Sequence, residues 1–470
     1  VGNPAIVDGT GVALDFTGNQ YLYCVRANTV IRNFVSISAL RLEATAVNFV
    51  CIDCGFVGKT GNVSTFTLGT PGAYSNLRIA RCTFTNPNAA SGTPSTSTVG
   101  AIVWRPDQAS NASITGVVIE DCEFHDFHAN VRALISFFGY QTPRAQDFIL
   151  RRLKFTNYTG LAIDLEVPGP TSDAALSPSG TPGWSAGVVV EDIECENGLV
   201  QTFVPDAWTG GAVFISGFGL SPTPGFGPNY VRRIRGKNLT GDAGLVDLLY
   251  GTYQGGDLWV DGLHTDNIDG CVLLADIGCY DCRFEGIYAR NVTGKTGVIN
   301  SGAVFLSLQN VTNFTVSGID ADNVKTAVFI GNTGTQFSIN IFGMTATNVK
   351  SYGVVIAGSA ARSDNFKLSN YVLDGQGYSI YCSRTWNGAS NGFINGCPQG
   401  TLGHTLSGDT RVGIDPQIDP VSRRPLPGSP LIRAAKPTGM RLRDASGRRY
   451  NAKASIGAYE PAAVQREPRN

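Results

Sequence analysis

Short apolar runs alternate along the chain with pairs of turn-forming residues, and the alternation repeats itself. One unit reads IARCTFTN at 79–86, and related units are IEDCEFHD (119–126), LRRLKFTN (150–157), VEDIECEN (190–197) and VRRIRGKN (231–238). VDGLHTDN (260–267), FEGIYARN (284–291), VSGIDADN (316–323) and IFGMTATN (341–348) continue the series, with CIDCGFVG (51–58) before it and LSNYVLDG (368–375) closing it. Each unit has an apolar residue, two turn-like residues, another apolar residue, then a small or apolar residue two further on, and usually a final Asn or Asp. The units start between 24 residues (260 to 284) and 41 residues (190 to 231) apart. They are too short and too rich in Gly and β-branched residues for paired helices. One coil of a parallel β-helix takes roughly two dozen residues, and stacked coils bury a continuous core. The pattern therefore predicts an all-β, single-stranded solenoid of about 11–12 coils over residues 1–385.

A second apolar strand follows each turn, as in AIVW (101–104), LAIDLE (161–166), GAVFIS (211–216), GLVDLL (244–249) and GAVFLS (302–307). The recurring Asn157, Asn197, Asn238, Asn267, Asn291, Asn323 and Asn348 suit a turn in which each side chain bonds backbone or the Asn of the next coil. The C-x-F spacing places Cys54, Cys82 and Cys122 in one inward stack. Three long Pro-, Gly- and Ser-rich insertions, 87–111, 168–187 and 204–230, interrupt consecutive coils and are expected to form a wall beside one face. From about Trp386 the repeat fades, and residues 386–470 read as an irregular, Arg- and Pro-rich cap and tail.

Candidate chemistry sits in the second strands. In LAIDLE, Ile163 and Leu165 point one way while Asp164 and Glu166 share the other face. Aligning the strands gives an outward column Val103, Asp164, Phe214, Asp247 and Phe305, and beside it Arg105, Glu166, Ser216, Leu249 and Ser307. Asp276 follows in the coil after Asp247. Carboxyls two coils apart are separated by about 9–10 Å, and Asp164 and Glu166 by about 6–7 Å. Glycoside hydrolysis with inversion uses two carboxyls roughly 6.5–9.5 Å apart, one protonating the leaving oxygen and the other activating water. Asp164, Glu166, Asp247 and Asp276 are thus candidate catalytic acids, with Arg105 as the base a β-elimination would need. Phe214, Phe305, Trp104, Trp184, Trp208 and Tyr250 are candidate sugar-stacking residues.

Composition narrows the partners. Lys plus Arg (36) balances Asp plus Glu (37), so no global charge calls for nucleic acid. No apolar run approaches the ~18 residues needed for a membrane-spanning helix. The 11 Cys, spread from Cys24 to Cys397, do not form a compact disulfide framework, although Cys382 and Cys397 are a candidate loop pair. His125 and His128 lack a third ligand, so neither a metal nor another cofactor is expected. Arg151 and Arg152 have two readings, as partners of acidic sugars or of local carboxylates such as Glu120. Val1 opens without a charged, apolar leader, so any signal peptide or upstream domain is expected to have been removed or to lie outside this sequence.

NPAIVDGTGVALDF followed by NTVIRNFVSI resembles a first coil of the right-handed parallel β-helix, pectin-lyase-like superfamily, and GSPLIRAA, DASGRR and IGAYEP resemble its bacterial and phage closing segments. The resemblance spans nearly the whole chain and implies right-handed coils and a polysaccharide partner. It further implies hydrolase, lyase or epimerase activity, or a trimeric phage tailspike. Neither the paired-Asp and R-I-K motifs of polygalacturonases nor the calcium-Asp and Arg set of pectate lyases occurs. Two functions follow as expectations. One is a polysaccharide depolymerase, extracellular on a virion tail or secreted, and homotrimeric by analogy. The other is a spike or adhesin of the same fold that only binds glycan.

Overall fold

The computed structural model describes residues 4–435, 446 and 455–459, apart from 17–19, 44, 59–63, 70–72, 87–99, 105–112, 128–132, 139–143, 167–183, 201–210, 217–228, 242–243, 250–257, 276–281, 295–301, 310–311, 334–336, 358–365, 376, 387–388, 396–400 and 405–408. Among these residues there is no helix. Every strand pairing between coils is parallel, and the strands fall into one sheet of 20 and one of 14. The chain is a parallel β-helix. Fourteen strands in the smaller sheet exceed the 11–12 coils expected, because coils lacking the sequence repeat extend the stack at both ends. Pairing runs from Leu22–Cys24 at the start to Thr401–His404, and in the larger sheet on to Arg411–Val412, past the point where the repeat fades.

The two turn-like residues of the repeat are a hinge. The second of them is left-handed in coil after coil: Asp53, Arg81, Asp121, Arg152, Asp192 and Arg233, with φ between +51° and +55°. In the following coils Gly262, Gly286, Gly318 and Gly343 take over, at +68° to +69°. A left-handed residue costs roughly 1–2 kcal/mol unless it is Gly, or Asn or Asp with a local bond, so the late switch to Gly follows from sterics. At this hinge the larger sheet bends. Early coils break there into two strands, such as Val50–Ile52 and Gly55–Val57, whereas later ones run through, as Trp184–Val200 does.

The terminal Asn forms a second ladder, again left-handed, with φ from +50° at Asn348 to +58° at Asn267. Asn238 donates to Asn197 at 3.0 Å and Asn267 to Asn238 at 2.8 Å, while Asn291 and Asn348 donate instead to Asp266 and Asp322, each at 2.8 Å. The expected Asn stack is present, built side chain to side chain.

Inside the solenoid, like residues stack on like. The rings of Phe56, Phe84, Phe124 and Phe155 lie nearly parallel, with centroids 4.6, 4.8 and 4.7 Å apart. Those steps match the ~4.8 Å between neighbouring strands. Cys54, Cys82 and Cys122 form the neighbouring column, all buried, as the C-x-F spacing predicted. The eight described cysteines are all buried, while Cys382 and Cys397 lie outside what the structure describes of side chains.

The C-terminal segment does more than close the last coil. It folds back along the outer face of the larger sheet. Ala458 N donates to Thr345 Oγ1 at 2.9 Å and Gly457 N to Asn370 O at 3.1 Å, and Leu431 and Ile456 pack on Val372. The anchor is Asp320, wholly buried, which takes Arg423 at 3.2 Å, Arg290 at 2.7 Å and the Tyr459 hydroxyl at 2.9 Å. Arg423, an arginine of the Arg- and Pro-rich cap, is engaged in this clamp.

Candidate functional site

The smaller sheet's strands stack in register through the column from Val103 to Tyr381, with shifts only beyond Ser307 and beyond Tyr381. Ile163, Val213, Val246 and Leu273 face the core, and the residue after each faces out. The outward column runs Val103, Ser136, Asp164, Phe214, Asp247, Leu274, Leu306, Phe329, Val355 and Tyr381. Asp164 and Asp247 thus stand two coils apart with Phe214 between them, as the aligned sequences implied. Their strands are separated by about 9–10 Å. Glu166 lies one outward position further along the same strand, in line with Ser216 and Leu249.

Other members of the expected site are placed differently. Phe305 pairs with Leu273, not with Leu274, and so belongs to the core column, where it is fully buried against Phe284 at 5.9 Å. The likeness of GAVFLS to GAVFIS hides a slip of one residue, and a slip of one turns a strand residue to the other face. Ser307 moves with it, pairing with Ala275. Trp104 is also in the core, 1% exposed and 6.4 Å from Phe137, because in Ile102–Trp104 the first and third residues share the inner face. Neither Phe305 nor Trp104 can meet a ligand on the outer face. Trp184 opens the strand Trp184–Val200 of the larger sheet opposite Arg144, not a loop. Arg105, Asp276, Trp208 and Tyr250 lie outside the described residues, as do the side chains of Glu166 and Trp184.

The acid column is not an open groove. Asp164 and Asp247 are 0% exposed, Ser136 1% and Phe214 8%. Carboxylates seldom occupy such positions without a specific reason, since burial disfavours their charge. The column holds no Lys or Arg. Next to it, burial pushes the Cys271 thiol up to about 11, a rise the nearby Asp247 adds to and bonds from Ala303 and Gly302 oppose.

Beyond Asp247 the same face becomes apolar. Cys271, Leu274, Ala303, Phe329 and Val355 form a small cluster outside the solenoid, and Tyr352 and Tyr381 pack against it. Tyr352 and Tyr378 are partners on adjacent strands with rings 5.7 Å apart and 6° from parallel. Tyr381 stands edge-on to both, at 5.5 and 6.0 Å. All three are half-buried. The sequence reading missed this group. The signal was available, as tyrosines at matching positions in SYGVVI (351–356) and GYSIYC (377–382).

The larger sheet's outer face has the opposite character. Glu120 receives Arg78 at 2.7 Å, Arg151 at 2.6 Å and Arg152 at 2.9 Å, and Glu191 receives Arg232 and Arg233 at 2.6 and 2.9 Å. On the hinge column Asp53 meets Arg81, Asp121 meets Arg152 and Asp192 meets Arg233, at 2.7, 2.6 and 2.6 Å. Hydrogen bonds from these guanidiniums hold all three hinge carboxylates below the usual range. Of the two readings of Arg151 and Arg152, the structure shows the local carboxylate. His125 Nδ1 lies 2.9 Å from Asp126, and His128 is outside the described residues.

No family model matches the chain, and no curated protein matches it. Among solved structures it is similar to the A-module of mannuronan C-5 epimerase AlgE6 from Azotobacter vinelandii, at 14% identity over 88% of this chain and 90% of that one, with a TM-score of 0.17. So loose a superposition bears on neither fold nor chemistry; the fold rests on the strand pairings.

Proposed function

We propose that the chain binds a polysaccharide and cleaves it on the outer face of the smaller sheet, with Asp164 and Asp247 as the acid–base pair. One observation carries this reading: the register sets two carboxylates in a single uncharged column, two coils apart, with an aromatic ring between them. The separation of about 9–10 Å lies at the upper end of the range that leaves room for an attacking water. One carboxyl, kept protonated, donates to the glycosidic oxygen as the bond to the anomeric carbon breaks. The other, ionised, takes the proton of the water that attacks the opposite face, and the product is inverted. Glu166 is the reserve partner for either role. Phe214 offers its ring to the sugar between them.

Incubation with a panel of capsular and plant-matrix polysaccharides should release new reducing ends, with the product anomer inverted in NMR spectra recorded at early times. Asp164→Asn and Asp247→Asn should each lower turnover by roughly 10²–10⁴-fold, the usual worth of a positioned acid or base. Unchanged turnover in both variants would remove the pair from the chemistry.

A second reading is favoured by the complete burial of both acids: a β-helix that binds glycan without cutting it. Binding to a polymer that stays intact on prolonged incubation would select it. Under either reading we place the protein outside the cell, on a virion tail or secreted, as a homotrimer. Buried thiols fit a chain made in a reducing compartment, and sedimentation in solution tests the trimer.

A further inference from the structure

We infer that Tyr352, Tyr378 and Tyr381 form a second sugar-stacking subsite on this face, so that an acidic polysaccharide lies along the solenoid axis. The inference rests on the proposed function for its ligand class, and on the tyrosine geometry for its place. Tyr352 lies four coils beyond Asp247 and Tyr381 five, a span of about 19–24 Å along the axis. A ligand touching both regions is a polymer of several sugars laid across the strands.

The rings are held ready for such a ligand. Two lie parallel and the third is inclined to them by 65° and 64°, which leaves an aromatic corner. Beneath it, Leu274, Phe329 and Val355 are buried, so Tyr352 and Tyr381 stand on a packed floor while their remaining surface faces outward. A tyrosine fixed in this way loses little conformational freedom on binding, and it offers an apolar face beside a hydroxyl. A pyranose has the matching pair, C–H faces and hydroxyl edges. Three half-buried tyrosines expose at most a few hundred Å², well short of the ~800 Å² per partner of a stable protein interface. That favours a sugar chain over a protein.

Charge narrows the class. Lys325 and Lys350 stand one coil apart at the corner leading into this region, linked by backbone bonds: Lys350 N donates to Val324 O, and Tyr352 N to Lys325 O at 3.2 Å. Lys350 is exposed and Lys325 half-buried. Two lysines on successive coils at the corner leading into the tyrosines suit a polymer that carries carboxylate or sulfate groups.

Migration of the full chain through native gels cast with polygalacturonate, alginate or dextran tests the site. At least one polyanion should retard the protein. Tyr378→Ala and Tyr352→Ala should weaken that retardation about tenfold, Lys350→Glu several-fold, and Tyr378→Phe hardly at all, with thermal unfolding unchanged in Tyr378→Phe. Retardation equal to wild type in both alanine variants overturns the subsite, as does retardation by dextran alone or by none of the three. Asp164→Asn and Asp247→Asn should migrate like wild type. Turnover surviving in those two would sink the cleavage reading and leave the subsite standing.

Discussion

The two outer faces of the solenoid treat charge in opposite ways. On the larger sheet, acids sit one coil from a guanidinium, and Glu120 holds three of them. On the smaller sheet, Asp164 and Asp247 occupy a column of Val, Ser, Phe and Leu with no basic residue in it, and both are fully buried. The difference separates two reasons for keeping an acid. Where neighbouring coils supply the counter-charge, the pair helps hold the register. Where the acid is wholly buried in a column of apolar and hydroxyl residues, its desolvation costs stability, and such costs concentrate at sites kept for function.

Substitutions on the two faces should therefore part company. Removing the carboxylate of Asp320 leaves the buried Arg423 and the half-buried Arg290 beside an uncharged group. Asp320→Asn should cost about 3–5 kcal/mol in denaturant unfolding and expose the C-terminal segment to protease, with turnover per folded molecule unchanged. Asp164→Asn should do the reverse, lowering turnover by roughly 10²–10⁴-fold while shifting stability by less than ~1 kcal/mol. If both variants lose stability alike, the contrast between the faces is wrong.

A smaller effect tests the ladders. Asn238→Ala loses two amide bonds and leaves an ordinary residue in the left-handed region, so it should destabilise by about 2 kcal/mol. Asn238→Gly, which tolerates that backbone, should lose less. Equal losses would show that the side-chain bonds, not the backbone, set the cost.

The smallest effect concerns pH. Asp53, Asp121 and Asp192 have folded values held below their unfolded ones, so their contribution is present above the unfolded value of ~3.9. It is lost as pH falls through the lowered folded values. Because these pairs are exposed, the loss should be slight and should shrink further in 1 M salt. Denaturation midpoints of wild type and Asp121→Asn/Asp192→Asn, compared at pH 6 and pH 3, should converge at the lower value.

The repeat was legible because each coil must bury the same positions and bend at the same hinge, so IARCTF and IEDCEF look alike. The Asn ladder and the inward cysteines followed from that. Register was legible only where strands matched in length from the hinge. Asp164, Phe214 and Asp247 were aligned correctly, but Phe305 was displaced by one residue that composition does not reveal. Trp104 looked like a loop-edge aromatic until its three-residue strand assigned it to the core. The Asp320 clamp joins residues 103 and 139 positions apart, a contact that no local pattern encodes. The tyrosine corner was overlooked for a simpler reason: attention to charge passed over a face whose chemistry is aromatic.

The returning C-terminal segment touches Asp320, Thr345 and Asn370 in three successive turns of the spiral. A stack of coils ordinarily frays from its ends, one turn at a time. Here three turns lying beneath the last two are laced together by the segment that follows them, so the stack cannot unwind past them until the lace is undone. Mechanical pulling from the C-terminus should therefore meet one large force peak before any sequence of small ones.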